Sequence, residues 1–235
     1  SSSIPIPDET FSQIANNFLS TGVSTGLLLV LWGLVIWRTL HDIGQRRKYK
    51  LDQNLVEQVF ALVISTVGIG VAAYIFLGHK GIPYPVAIFA LVAIAGAYAL
   101  NNTKFGRRLY AIGGNEEAAR LSGINVKVTT GLVFVIVGVL SAMAGIIQAS
   151  RLDSATPNLG IMLELDVITA VVIGGTSLAG GSGTIGGTII GVLLIGVLSN
   201  GMSLEGIDTN YQNIIKGLII IIAVWFDVVS KRKKV

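Results

Sequence analysis

Long apolar stretches separated by short polar or glycine-rich intervals dominate this sequence. Seven of them run at about Gly22–Leu40, Val56–Leu77, Pro85–Leu100, Val128–Ala149, Leu165–Ala179, Thr184–Asn200 and Tyr211–Val229. A helix needs roughly 20 apolar residues to cross a bilayer, so the pattern predicts an all-α polytopic membrane helical bundle with about seven transmembrane helices. The third and fifth stretches are short. The fifth runs directly into Gly180, Gly181, Ser182 and Gly183, so the fifth and sixth predict either two full crossings or a broken, partly re-entrant pair. Ahead of all seven, Pro7, Asp8 and Glu9 suit a first helical turn, and Phe11, Ile14, Ala15, Phe18 and Leu19 share one face. Segment 1–21 is therefore expected to hold a short amphipathic helix on the membrane surface.

Composition strengthens this reading. Of 235 residues, 52% are hydrophobic and 13% charged, about half the roughly 25% charge of an ordinary soluble domain. The absence of cysteine removes disulfides, thiolate metal sites and cysteine nucleophiles. With His41 and His79 the only histidines, neither a metal nor a cofactor is expected, and a membrane enzyme is the least favoured class.

Charge placement sets the orientation. Of 17 basic residues, 14 fall in three clusters: Arg38, Arg46, Arg47, Lys48 and Lys50; Lys104, Arg107, Arg108, Arg120 and Lys127; and the tail Lys231 to Lys234, within segment 230–235. Basic loops stay cytoplasmic, and a single topology over seven crossings places all three clusters inside, with the N-terminus out and the C-terminus in. Apart from the short outer turn His79–Tyr84, the outer segments 1–21, 150–164 and 201–210 then carry Arg151 against six acids, Asp8, Glu9, Asp153, Glu164, Glu205 and Asp208. There is no initiator Met, basic n-region or signal h-region before Ile4-Pro5-Ile6-Pro7, so the expectation is the C-terminal part of a longer membrane protein in the cell inner (plasma) membrane.

The densest glycine run spans Gly174 to Gly187, and within it residues 181–186 match GxGxxG. That fingerprint needs a strand before it inside a βαβ unit, which flanking membrane helices do not provide. Gly183, Gly187 and Gly191 recur every four residues, an arrangement that lets helix backbones approach; a tight turn touching a partner or lining a path is the other reading. In the second basic loop, 101–127, Asn115 suits an N-cap, Glu116 and Glu117 a first turn, and Gly123 a left-handed stop. Ala118, Ala119, Arg120, Leu121 and Ser122 lie between. This two-turn helix is too short to be stable alone and needs either a partner or the lipid interface. Glu57, Asp166, Lys216 and Asp227 are the ionisable residues in or near spans; Glu57, Lys216 and Asp227 are close enough to an end to snorkel or meet head groups, and Asp166 begins the fifth stretch. Gln148, Thr169, Thr176, Ser199, Asn200, Gln212 and Asn213 suit interhelical hydrogen bonds or a path for a neutral polar solute.

The block from Phe105 to Asn125, with Gly113-Gly114-Asn115-Glu116-Glu117 at its centre, resembles the cytoplasmic loop of monosaccharide ABC-importer permeases, in the ribose, xylose and branched-chain-amino-acid permease superfamily. Ala149-Ser150-Arg151-Leu152, the run Glu164 to Gly181, and Asn200-Gly201-Met202-Ser203 with Tyr211-Gln212 and Ile215-Lys216-Gly217 agree in order. The arginine-rich insert Trp37 to Lys50 and the ending Ala223-Val224-Trp225-Phe226-Asp227 resemble the xylose-type branch.

The resemblance implies a type II ABC-importer permease fold and a role as permease subunit in ATP-driven uptake of xylose or a related monosaccharide. Implied partners are a cytoplasmic ABC ATPase, an extracytoplasmic sugar-binding protein, a second permease chain forming a homodimer, and membrane lipid; no nucleic acid is expected. It makes Gly113 to Gly123 the ATPase-coupling segment. Gln148, Thr176, Asn200, Gly183, Gly187 and Gly191 are candidates for pathway or packing. The alternatives are an ion-gradient-driven secondary carrier, which would favour inverted repeats and intramembrane carboxylates, and a non-transporting scaffold subunit.

Overall fold

The computed structural model describes residues 4–6, 9–48, 55–78, 80–155 and 160–232. Among these residues the helices are α1 (Glu9–Asn16), α2 (Thr21–Lys48), α3 (Leu55–Leu77), α4 (Tyr84–Asn102), α5 (Lys104–Gly114), α6 (Glu116–Leu121), α7 (Val126–Leu152), α8 (Leu163–Ile173), α9 (Ile185–Leu204) and α10 (Thr209–Arg232). Two two-residue strands, β1 (Ile4–Pro5) and β2 (Ser154–Ala155), pair antiparallel. Pro7 and Asp8 of the expected surface helix, Lys50 of the first basic cluster, His79, and Lys233 and Lys234 of the tail lie outside the described residues.

The chain divides into two compact units, one of Ser1–Pro5, Ala90–Ala149 and Ser154–Val235, the other of Ile6–Phe89 and Ser150–Asp153. In the second unit α2 packs on α3, leaving between them an apolar groove of about 310 Å³ lined by Leu28, Trp32, Ile69, Ala73 and neighbours. The end of this hairpin is fastened by Ser24, which is fully buried. Its hydroxyl donates to the Leu19 carbonyl at 3.2 Å and accepts the Ile82 N–H at 3.0 Å. Ser150 fastens α1 in the same way, accepting the Ala15 N–H at 3.0 Å and donating to the Phe11 carbonyl at 2.6 Å.

In the first unit α8 packs on both α9 and α10. Among the described residues, three helices are long and apolar enough to cross a membrane: Tyr84–Asn102, Val126–Leu152 and Ile185–Leu204. Thr21–Gly33 and Thr66–Leu77 are shorter apolar helical segments. The fifth apolar stretch departs from a simple crossing. Its helix α8 has 11 residues, a rise of about 16 Å against the roughly 30 Å of a hydrocarbon core. The chain leaves the helix at Gly174 and enters the left-handed region at Gly175, φ +84°, which a residue with a Cβ rarely adopts. Residues 174–184 are non-helical, so a break separates α8 from α9. Hydropathy alone cannot register the break, because the residues on both sides of it remain apolar.

Candidate functional site

The second basic loop is built as two short helices set against the end of α4. Thr103 turns the corner: its hydroxyl donates to the Ala99 carbonyl at 2.5 Å and accepts the Gly106 N–H at 3.3 Å as the N-cap of α5. Gly106 is buried because the Leu100 carbonyl lies where a Cβ would stand. Arg107 and Arg108 are exposed on α5, and Leu109 and Tyr110 are half-buried.

Asn115 is the C-cap of α5 and the N-cap of α6 at once. Its N–H donates to the Ala111 carbonyl at 3.0 Å and its side-chain oxygen accepts the Ala118 N–H at 2.9 Å. Glu116 and Glu117 occupy the first turn, where they complement the helix dipole. Ser122 closes the helix, its hydroxyl donating to the Ala118 carbonyl at 2.8 Å, and Gly123 follows at φ +83°. Ala119 is buried, whereas Ala118 and Arg120 are exposed and Leu121 is 83% exposed. The structure thus divides the Gly113–Gly123 segment at the expected N-cap. Gly113 and Gly114 end α5, and α6 comprises only Glu116–Leu121, because an extended residue at Asn115, φ −158° and ψ 105°, interrupts the helical path.

Gly113 meets the glycine-rich turn. A methyl group on its Cα would overlap the Gly181 N–H, and one on Gly180 would lie 2.7 Å from the Gly113 carbonyl oxygen. Gly180 and Gly181 have φ of +91° and +75°, so glycine serves here both close approach and a left-handed backbone. One turn earlier on α5 the Tyr110 hydroxyl donates to the Gly183 carbonyl at 2.9 Å. The turn is tied internally as well, Ser177 N–H to the Ser182 carbonyl at 2.9 Å and Gly180 N–H to the Ser177 carbonyl at 3.1 Å.

Beyond the turn, Thr184 caps α9 by accepting the Gly187 N–H at 3.1 Å. A Cβ on Gly187 would overlap the Gly174 carbonyl and one on Gly191 the Ala170 carbonyl. Ala170 and Gly174, four residues apart on α8 and at its C-cap, thus lie against Gly187 and Gly191, four apart on α9. Gly183 precedes α9 and abuts the Thr176 side chain, 2.7 Å from a Cβ placed there. The remaining candidates are dispersed: Gln148 is half-buried on α7, Asn200 is exposed on α9, and no side-chain hydrogen bond joins either of them to Thr176 among the described residues.

Lys216 departs from the expectation of snorkelling. Lys216 is 9% exposed, and its Nζ lies 2.7 Å and 2.9 Å from the two carboxylate oxygens of Asp166, tying α10 to the first turn of α8. Fifty residues separate the partners, and nothing in local sequence joins them. Among the described residues no group of three or more His, Asp or Glu side chains gathers to hold a metal.

Against known proteins, residues 9–224 match the family model described as branched-chain amino acid transport system / permease component. The chain is 41% identical over 228 residues to the xylose transport system permease protein XylH of Haemophilus influenzae, covering 95% of this chain and 60% of that protein. The corresponding values for XylH of Escherichia coli K12 are 40%, 94% and 57%. The ribose import permease protein RbsC of Escherichia coli K12 is 51% identical over 147 residues, 63% of this chain and 46% of that protein. The chain therefore spans about 57–60% of the length of the xylose permeases it matches. No solved structure matches it. With a family match across most of its length and helices of spanning length and apolarity, this chain is a multi-pass inner-membrane protein and belongs to the branched-chain amino acid transport system permease family.

Proposed function

We propose that the chain is the permease part of an ATP-driven importer of xylose or a related monosaccharide, and that α6 is the element on which a cytoplasmic ATPase acts. The observation that carries this is α6 itself: a helix capped at both ends that leaves Leu121 83% exposed and Ala118 exposed beside it, within a family of permeases and with xylose permeases among the relatives. A helix of six residues has little stability of its own, and an exposed apolar side chain on it gains by burial in a groove of a partner. An extracytoplasmic sugar-binding protein delivers the substrate, and a second copy of the permease completes the pathway. ATP-driven closure of the ATPases displaces α6, and the packed helices follow as bodies between two states, each stabilised by its own contacts.

Leu121→Arg in the complete transporter tests this. Membrane insertion should persist, ATP should still be hydrolysed, and sugar uptake should stop. Unchanged uptake per ATP would remove α6 from the coupling path, and uptake independent of ATP or of a binding protein would identify an ion-driven carrier instead.

Orientation is part of the proposal, with α6 cytoplasmic, the start of the chain outside and its end inside. Ser12→Cys and Ser203→Cys should react with an impermeant maleimide added outside, while Gln45→Cys and Ser230→Cys should not. Labelling of Gln45→Cys from outside would invert the scheme.

A further inference from the structure

We propose that Tyr110 and Gly113 form a latch through which displacement of α6 reaches the broken pair α8 and α9; the role rests on the reading of α6 as the ATPase contact. Three observations converge over residues 110–115. The Tyr110 hydroxyl donates to the Gly183 carbonyl at 2.9 Å. Gly113 meets Gly180 and Gly181 backbone to backbone, with no room for a methyl group on any of the three. Asn115 then joins α5 to α6 with no intervening loop.

The far side of the latch is equally direct. Gly183 is followed by Thr184, the N-cap of α9, and Ser177, bonded across the turn to Ser182, is buried just past the end of α8. A push on α6 thus meets no compliant side-chain layer before it reaches the ends of both helices. Backbone contacts of this kind cannot slip by rotamer change, as interdigitated leucines can, so α5 and the turn move together or separate outright. Tyr110 supplies the directional part, since a hydrogen bond weakens steeply with misalignment. It acts as a positioning residue, holding the turn in register with α5.

Tyr110→Phe keeps the ring and removes only the donor, and Gly113→Ala wedges the backbone contact. The chain has no cysteine, so Ser177→Cys on the buried side of the turn is a single reporter. In purified permease, Tyr110→Phe should raise the reaction rate of this cysteine with N-ethylmaleimide several-fold, and Gly113→Ala should raise it further. In the complete transporter, Tyr110→Phe should assemble and hydrolyse ATP like the parent while importing about two- to twelvefold less sugar per ATP, the scale of one hydrogen bond of about 0.5–1.5 kcal/mol.

An unchanged cysteine rate in both variants would overturn the latch, whatever the transport assay gives. An altered rate with uptake per ATP intact, in a transporter that Leu121→Arg does uncouple, would overturn its role in coupling. An altered rate with coupling indifferent to both Tyr110→Phe and Leu121→Arg would leave the contact standing and refute α6 as the ATPase site.

Discussion

The α8–α9 pair and the α2–α3 pair use the same residue to opposite ends. Gly22 and Gly26 on α2 repeat at the four-residue spacing of Gly187 and Gly191 on α9, and Gly33, Gly68 and Gly70 add to them. None of the five has an atom within 4 Å of where a Cβ would stand, whereas at Gly187 and Gly191 that position is filled by a carbonyl of α8 or its C-cap. The difference lies in whether another helix covers the row. Across from α9 stand Ala170 and Gly174, themselves four apart, so two small rows meet and the backbones close. Gly22 and Gly26 are exposed, with no side chain or backbone of another helix against them, and between α2 and α3 a groove of about 310 Å³ remains, lined by Leu28, Trp32, Ile69 and Ala73 among others. A small-residue row is a request for close approach, and only a matching row on the partner answers it.

The contrast breaks most sharply at Gly191. Gly191→Leu should lower stability by about 3 kcal/mol, the upper end for overpacking where the obstacle is backbone and cannot turn aside, while Gly26→Leu should change it by about 0.5 kcal/mol or less, as for surface substitutions. Thermal unfolding of both variants in one detergent reads the difference, and equal losses would erase the distinction between the pairs. Next in size is the ion pair that holds α8 to α10. Asp166→Asn strands Lys216, 9% exposed, with no anion. The expected loss is about 1–3 kcal/mol, below the 3–5 kcal/mol of a fully buried pair because the Asp166 side chain is 33% exposed. Replacing both partners, Asp166→Leu with Lys216→Met, should recover much of it, and a double variant no better than the single would show that the pair does more than neutralise charge. Smallest, and opposite in sign, is Gly70→Ala. With open space at the Cβ position on α3, alanine should raise stability by up to about 1 kcal/mol through helix propensity. A fall in melting temperature would mean that α3 meets a close neighbour at that face after all.

What the sequence made legible was local. Asn115 and Gly123 announced the ends of α6 because capping and left-handed geometry depend on a few consecutive residues. Spanning helices such as α7 follow from length and apolarity. What it hid was contact between distant positions. Tyr110 and Gly183 are 73 residues apart and Lys216 and Asp166 are 50, and no periodicity joins them. The break after α8 was half visible: the glycines marked a turn, but a hydropathy window averages across Gly174 and Gly175 and assigns their apolar neighbours to one span. The contact of Gly113 was hidden for a related reason. That glycine continues without interruption into Asn115 in sequence, yet its neighbour in space is Gly181.

Because Asn115 ends one helix and begins the next, α5 and α6 meet at a joint with no slack. Their relative direction is set by φ and ψ of a single residue, −158° and 105°, and both its neighbours are committed to helical geometry. The Asn115 N–H is held by Ala111 on one side, and its carbonyl and side-chain oxygen accept from Ala119 and Ala118 on the other. Two rotations exhaust the freedom of the joint, and each is clamped. Movement applied to the short arm therefore cannot be absorbed as loop flexing; it must appear as displacement of the long arm.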